Sequence, residues 1–92
     1  MKVVVKLYAM LAKHLPVHAV DNQVAIDAAE GATVEGVLAG FGLPPAMCHL
    51  VLINGAYVQP SERATRRLQD GDALAVWPPV AGGRAVESPR AY

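Results

Sequence analysis

Residues 68–83 read LQDGDALAVWPPVAGG. Asp70-Gly71-Asp72 is a tight-turn tripeptide, its glycine free to take a backbone conformation that side chains oppose. Beyond it, Leu74 and Val76 alternate with Ala73, Ala75 and Trp77, which predicts a final strand over 73–78. One face of that strand, Leu74 and Val76, belongs in a core. Pro78 and Pro79 then remove two backbone donors and fix φ, so the chain must leave the sheet as a stiff, extended arm. Val80, Ala81, Gly82 and Gly83 are all small, and an arm of that kind fits a narrow channel on another protein. A glycine α-carbon also leaves its carboxyl carbon open to a nucleophile. By itself a Gly-Gly pair is an ordinary loop feature, and its meaning depends on what the preceding residues fold into.

Working outward, HLVLINGAYV (49–58) carries the hairpin pair Asn54-Gly55, which tolerates the two positive φ values of a type I′ turn. Before it, EGATVEGVLAGFGLPP (30–45) is a helix with visible ends. Thr33 is the N-cap, Glu35 sits in the first turn, Gly42 closes it, and Pro44-Pro45 prevent continuation. Val34, Val37, Leu38 and Phe41 form its apolar stripe. Gly36 and Gly40 each cost about 1 kcal/mol relative to Ala, so we expect them where the helix approaches the sheet closely. QVAIDAA (23–29) alternates as a strand, with Val24, Ile26 and Ala28 on one side. Residues 17–22 read as loop, and AMLAKHL (9–15) as a short helix stopped by Pro16. KVVVKLY (2–8) is a strand with Val3, Val5 and Leu7 inward. Strand, short helix, strand, helix, hairpin, loop, strand predicts an α+β roll: one mixed sheet with one main helix packed on one face.

The 92 residues make one domain, 53% apolar and 17% charged, with a core that must rest on Val, Leu, Ile and Ala. Lys and Arg total eight, as do Asp and Glu, so no global field draws the chain to nucleic acid or a membrane. Arg63, Arg66 and Arg67 read as a solvated face beside Glu62, Asp70 and Asp72, with contact to an acidic protein partner as the alternative. Lys6, Lys13 and His14 interrupt the apolar N-terminus and no cleavage site follows, which predicts a cytoplasmic protein. The single Cys48 makes no internal disulfide, and His49 beside it on an extended chain faces the other way, so a small buried thiol is expected. His14, His18 and His49 are too scattered for a metal site. No glycine-rich phosphate loop is present. The outer sheet face should carry Val4, Tyr8, Ala75 and Trp77, a docking patch for a partner, unless Trp77 merely folds over a sheet edge.

LQDGDALAVWPPVAGG closely resembles the C-terminal signature of the molybdopterin-synthase small subunit and its relatives, the thiamine-pathway carrier and other ubiquitin-like sulfur carriers. VVVKLYAMLAKHLP, GATVEGVLAGF and VLINGAYV resemble the rest of that pattern, so the likeness spans residues 1–83. It implies a β-grasp fold. It further implies a co-substrate rather than an enzyme, activated at the Gly83 carboxylate by a ubiquitin-activating-like enzyme that uses ATP and Mg²⁺. The product is an acyl-adenylate, then a thiocarboxylate that donates sulfur in cofactor or metabolite biosynthesis. Trp77 and the outer face would dock the activating enzyme, and a molybdopterin-synthase large subunit would receive the arm. The chain itself is expected to bind no cofactor.

The sequence departs from the pattern after Gly83. RAVESPRAY (84–92) leaves Gly83 in a peptide bond to Arg84, where its carboxylate chemistry is blocked. The tail is polar or small and lacks apolar periodicity, so it reads as a disordered extension open to a peptidase that would expose Gly83. The alternatives are a permanent tail on a non-catalytic β-grasp interaction module or ubiquitin-like protein modifier, and a tail appended artificially.

Overall fold

A computed structural model describes residues 1–79. The first strand, β1 (Lys2–Leu7), has Val3, Val5 and Leu7 fully buried and the alternate residues outward, as its pattern requires. Ala9, at φ 53°, then turns the chain into a 3-10 helix over Ala9–His14, with Leu11 buried and Leu15 at the core margin. So short a segment settles into the tighter i→i+3 pattern rather than an α-helix. Asp21 and Asn22 both take positive φ in a two-residue turn, and Asn22 Nδ2 donates to the Leu7 carbonyl at 3.0 Å. β2 (Gln23–Asp27) runs back antiparallel to β1, two residues shorter than its alternation predicts.

α1 spans Val34–Gly40. The Thr33 hydroxyl accepts from the Gly36 N–H at 3.1 Å, and Gly42 at φ 79° ends the helix, as the sequence indicates. Val34, Val37 and Leu38 are buried against the sheet, with Phe41 at the margin. The expectation for Gly36 and Gly40 fails. Both are exposed; a Cβ on Gly40 would meet nothing within 4 Å, and one on Gly36 only the Thr33 hydroxyl at 3.2 Å. At 100° per residue, the stripe that buries 34, 37, 38 and 41 necessarily turns 36 and 40 away.

β3 (Leu50–Ile53) and β4 (Ala56–Tyr57) form the hairpin, with Asn54 at φ 51° and Gly55 at φ 85°. Unpredicted 3-10 turns at Pro45–Met47 and Pro60–Glu62 each start on proline, whose fixed φ suits the first helical position. β5 (Ala73–Trp77) enters between β1 and β3, parallel to the former and antiparallel to the latter. The strand order is therefore β2-β1-β5-β3-β4, a mixed sheet with α1 on one face and the core between. Asp70 and Asp72 serve this junction. Asp70 accepts from the Lys2 N–H at 2.6 Å, and Asp72 from Gln69 N and from Asn54 Nδ2. Asn54 Oδ1 in turn accepts from the Ala73 N–H at 2.9 Å. Among the described residues no helix is long and apolar enough to cross a membrane.

Candidate docking face and C-terminal arm

Because β5 lies at the centre of the sheet, its outward side chains sit among those of its neighbours. The register sets Val4 beside Ala73, Lys6 beside Ala75, Ala75 beside Leu52, and Trp77 beside Leu50. Tyr57 continues the Lys6–Ala75–Leu52 row on β4. Tyr8 extends β1, its N–H donating to the Val76 carbonyl, and its ring stacks on Trp77 with centroids 4.3 Å apart and planes 7° from parallel. Trp77 is thus held over the outer face, half-buried, rather than folded round an edge. Val4, Tyr8, Ala75 and Trp77 share one apolar surface, as their alternation predicts. Leu50, Leu52 and Tyr57 belong to it too and were missed. The signal was present: Val51 and Ile53 inward means Leu50 and Leu52 outward. Lys6 is half-buried within this surface, and no described carboxylate pairs with it.

The arm begins at the end of this face. Trp77 still accepts from the His49 N–H at 2.9 Å, whereas Pro78 is buried and Pro79 exposed. The chain therefore leaves the sheet directly after Trp77, one residue short of the 73–78 strand that the alternation predicts, with Pro78 the first residue off the ladder. Val80, Ala81, Gly82 and Gly83 lie outside the described residues, as does the extension 84–92.

Elsewhere, the described residues gather no second cluster of chemically reactive side chains. Cys48 is buried, its thiol donating to the Pro44 carbonyl at 3.6 Å. Burial pushes that thiol above its usual range, and the charge of Arg63 only partly offsets this. Arg63 is a correction to the solvated basic face. Only 8% exposed, it donates to the carbonyls of Cys48 at 2.5 Å, His49 at 3.2 Å and Val58 at 3.3 Å. It fastens the loop after β4 to the start of β3, while Arg66 and Arg67 remain exposed. Sequence spacing could not separate these three arginines, because irregular chain has no period. Among the described residues no His, Cys, Asp and Glu cluster could hold a metal ion.

A protein-family model, the ThiS family, matches residues 8–83. The chain belongs to the ThiS family. Among solved structures, this ThiS-family chain is similar to SAMP1 from Haloferax volcanii, at 30% identity and TM-score 0.61 over 90% of this chain and all of that one. The Haloferax volcanii HVO 2177 protein is 28% identical with TM-score 0.69, over 90% of this chain and 87% of that one. Subunits 1 and 2 of the molybdopterin-converting factor from Helicobacter pylori provide a further match in fold, at 19% identity and TM-score 0.56, over 90% of this chain and 100% of the matched one. That last structure is a protein–protein complex. No curated protein matches the sequence. The family and its neighbours agree with the ubiquitin-like β-grasp architecture built above.

Proposed function

We propose that this protein is a ubiquitin-like sulfur carrier whose reactive group is the carboxylate of Gly83, exposed by removal of residues 84–92. One observation carries the reading: in a ThiS-family chain, β5 ends beside the half-buried Tyr8–Trp77 stack and passes directly into a proline-stiffened arm. The folded face and the reactive end are thereby separated only by the short stretch 78–82 in sequence. On an adenylating partner that binds ATP and Mg²⁺, a Gly83 carboxylate oxygen attacks the α-phosphorus and pyrophosphate leaves, giving the acyl-adenylate. The outer sulfur of a persulfide donor then attacks the acyl carbon and AMP departs. A thiol reductant cleaves the S–S bond of the resulting acyl disulfide, releasing the donor as a thiol and leaving the thiocarboxylate. This chain's part is to dock, to present the arm, and to keep the acyl carbon unhindered through Gly82 and Gly83.

The partner surface should be apolar opposite Trp77, Leu50 and Leu52, with a carboxylate opposite Lys6. A large subunit of the molybdopterin-synthase kind fits as the recipient of the loaded arm. A second reading, a protein modifier, shares the acyl-adenylate but uses a lysine amine as nucleophile; the likeness to SAMP1 favours carrying it alongside.

Intact-mass measurement on protein recovered from its native cells tests the proposal. A species ending at Gly83, and one about 16 Da heavier where sulfur replaces oxygen, is the expected result. Only full-length chain, under conditions where sulfur-requiring biosynthesis is active, overturns it. Gly83 joined to lysines of other proteins, with no thiocarboxylate, selects the modifier reading.

A further inference from the structure

β2 is an end strand of the sheet, and its register with β1 fixes which of its backbone groups are used. Met1 N donates to the Ala28 carbonyl and Ala28 N to that of Met1, while Leu7 N donates to Asn22. Alternation along an antiparallel ladder then makes Val3–Ile26 and Val5–Val24 the bonded pairs, and Val4–Ala25 and Lys2–Asp27 the non-bonded ones. The N–H and C=O groups of Ala25 and Asp27 consequently point to the open edge, where no described residue pairs with them. Those of Gln23 are taken by Val20.

Beside this edge, on the helix side, an open groove of ≈ 350 Å³ runs between β2 and α1. Ile26, Ala28, Ala32, Gly36, Gly40 and Phe41 lie along it. The fold itself has no need of glycine at 40. Its φ is not positive, nothing lies within 4 Å of an added Cβ, and alanine would be about 1 kcal/mol better in the helix. Its consequence is the groove, which a side chain there would fill.

Charge selects the occupant. Asp21, Asp27 and Glu30 rim the edge, against Lys2, already 3.1 Å from Asp27, and the Met1 amine, 3.7 Å from Glu30. A second copy pairing antiparallel about Ile26 would oppose Ala25 to Asp27 of its mate and so set the two Asp27 carboxylates diagonally across from each other on one face. We propose that the β2 edge and its groove form a second docking site, for an extended segment of another protein carrying Lys or Arg at its ends. The segment adds as a strand on Ala25 and Asp27, lays small or β-branched side chains into the groove, and sets its cations against the three carboxylates. The site lies on the helix side of the sheet, whereas Trp77 is on the other, so both can be occupied together. It does not depend on the sulfur-carrier reading.

The test is an NMR titration of the ¹⁵N-labelled full chain with an acetylated, amidated heptapeptide of alternating valine and threonine, with lysine at each end. The amides of Ala25 and Asp27 should shift saturably and gain exchange protection. The same peptide ended with glutamate should bind at least about tenfold more weakly. Gly40→Leu should fold at least as stably and lose the binding. The proposal falls if nothing saturates by about 1 mM, if the shifts lie on β4 or the outer face, or if the glutamate peptide binds equally. It falls equally if Gly40→Leu binds like the parent, or if Ala25 and Asp27 shift with protein concentration alone, which would make a second copy the occupant.

Discussion

Arg63 and Trp77 show how differently single residues serve this molecule. Arg63 solvates its charge with three carbonyls and no carboxylate, so its removal leaves two buried acceptors, of Cys48 and Val58, and the part-buried one of His49 without this donor. Arg63→Met is expected to lower stability by about 2–4 kcal/mol in urea unfolding, and Arg63→Lys to recover little of it, since one ammonium cannot span the fork. Trp77 belongs to the surface. Trp77→Ala should cost about 0.5–1.5 kcal/mol for the lost Tyr8 stack and, on the proposed function, weaken binding to an adenylating partner at least about tenfold in calorimetry. A stability loss with unchanged partner affinity would remove Trp77 from the docking face. For Cys48 the sign is definite. Its pKa is raised in the folded state, so folding disfavours the thiolate. Stability attached to this group is full below the unfolded thiol pKa and is lost as pH rises through the folded one. Iodoacetamide labelling at pH 8 should therefore be much slower in the native protein than in denaturant.

Among the elements, α1 is the one whose chemistry diverges most from simple stability. Its cap, stripe and stop were legible because each is local: Thr33 three residues before Gly36, apolar residues at helical spacing, Gly42 before two prolines. What Gly36 and Gly40 face was not legible, for it follows from how the helix is rotated against the sheet. Thr33→Ala should cost about 1 kcal/mol, and Gly40→Ala should gain up to about 1 kcal/mol, both read from thermal unfolding. A loss at Gly40→Ala would mean that the groove closes on the helix more tightly than its open geometry shows. The strands were read from alternation with errors of one or two residues at their ends. In β3 all four residues are aliphatic, so composition does not mark Leu50 and Leu52 as the outward pair; only the strand's two-residue period does. Pairing between distant strands leaves no local trace, and so the place of β5 between β1 and β3 was not legible.

At the scale of the whole molecule, the strand order joins sequence extremes. β1 and β5 are neighbours and parallel, with Val4 matched to Ala73 and Leu7 to Val76. The core around Val5, Leu74 and Val76 cannot form until the last strand is in place, and Leu74→Ala is expected to cost about 2–5 kcal/mol. Contacts this remote in sequence also imply slower refolding than a helical bundle of equal length. The parallel pairing has a mechanical consequence. A partner that draws on the arm while the start of β1 is anchored pulls the two strands past each other along their length. The β1–β5 hydrogen bonds are then strained together in shear rather than opened one after another, as they would be in an antiparallel pair unzipped from its end. Tension on the arm is thus borne by the stiffest seam of the sheet. Force spectroscopy with handles at residues 1 and 79 should show a higher rupture force than handles that peel β4 from β3.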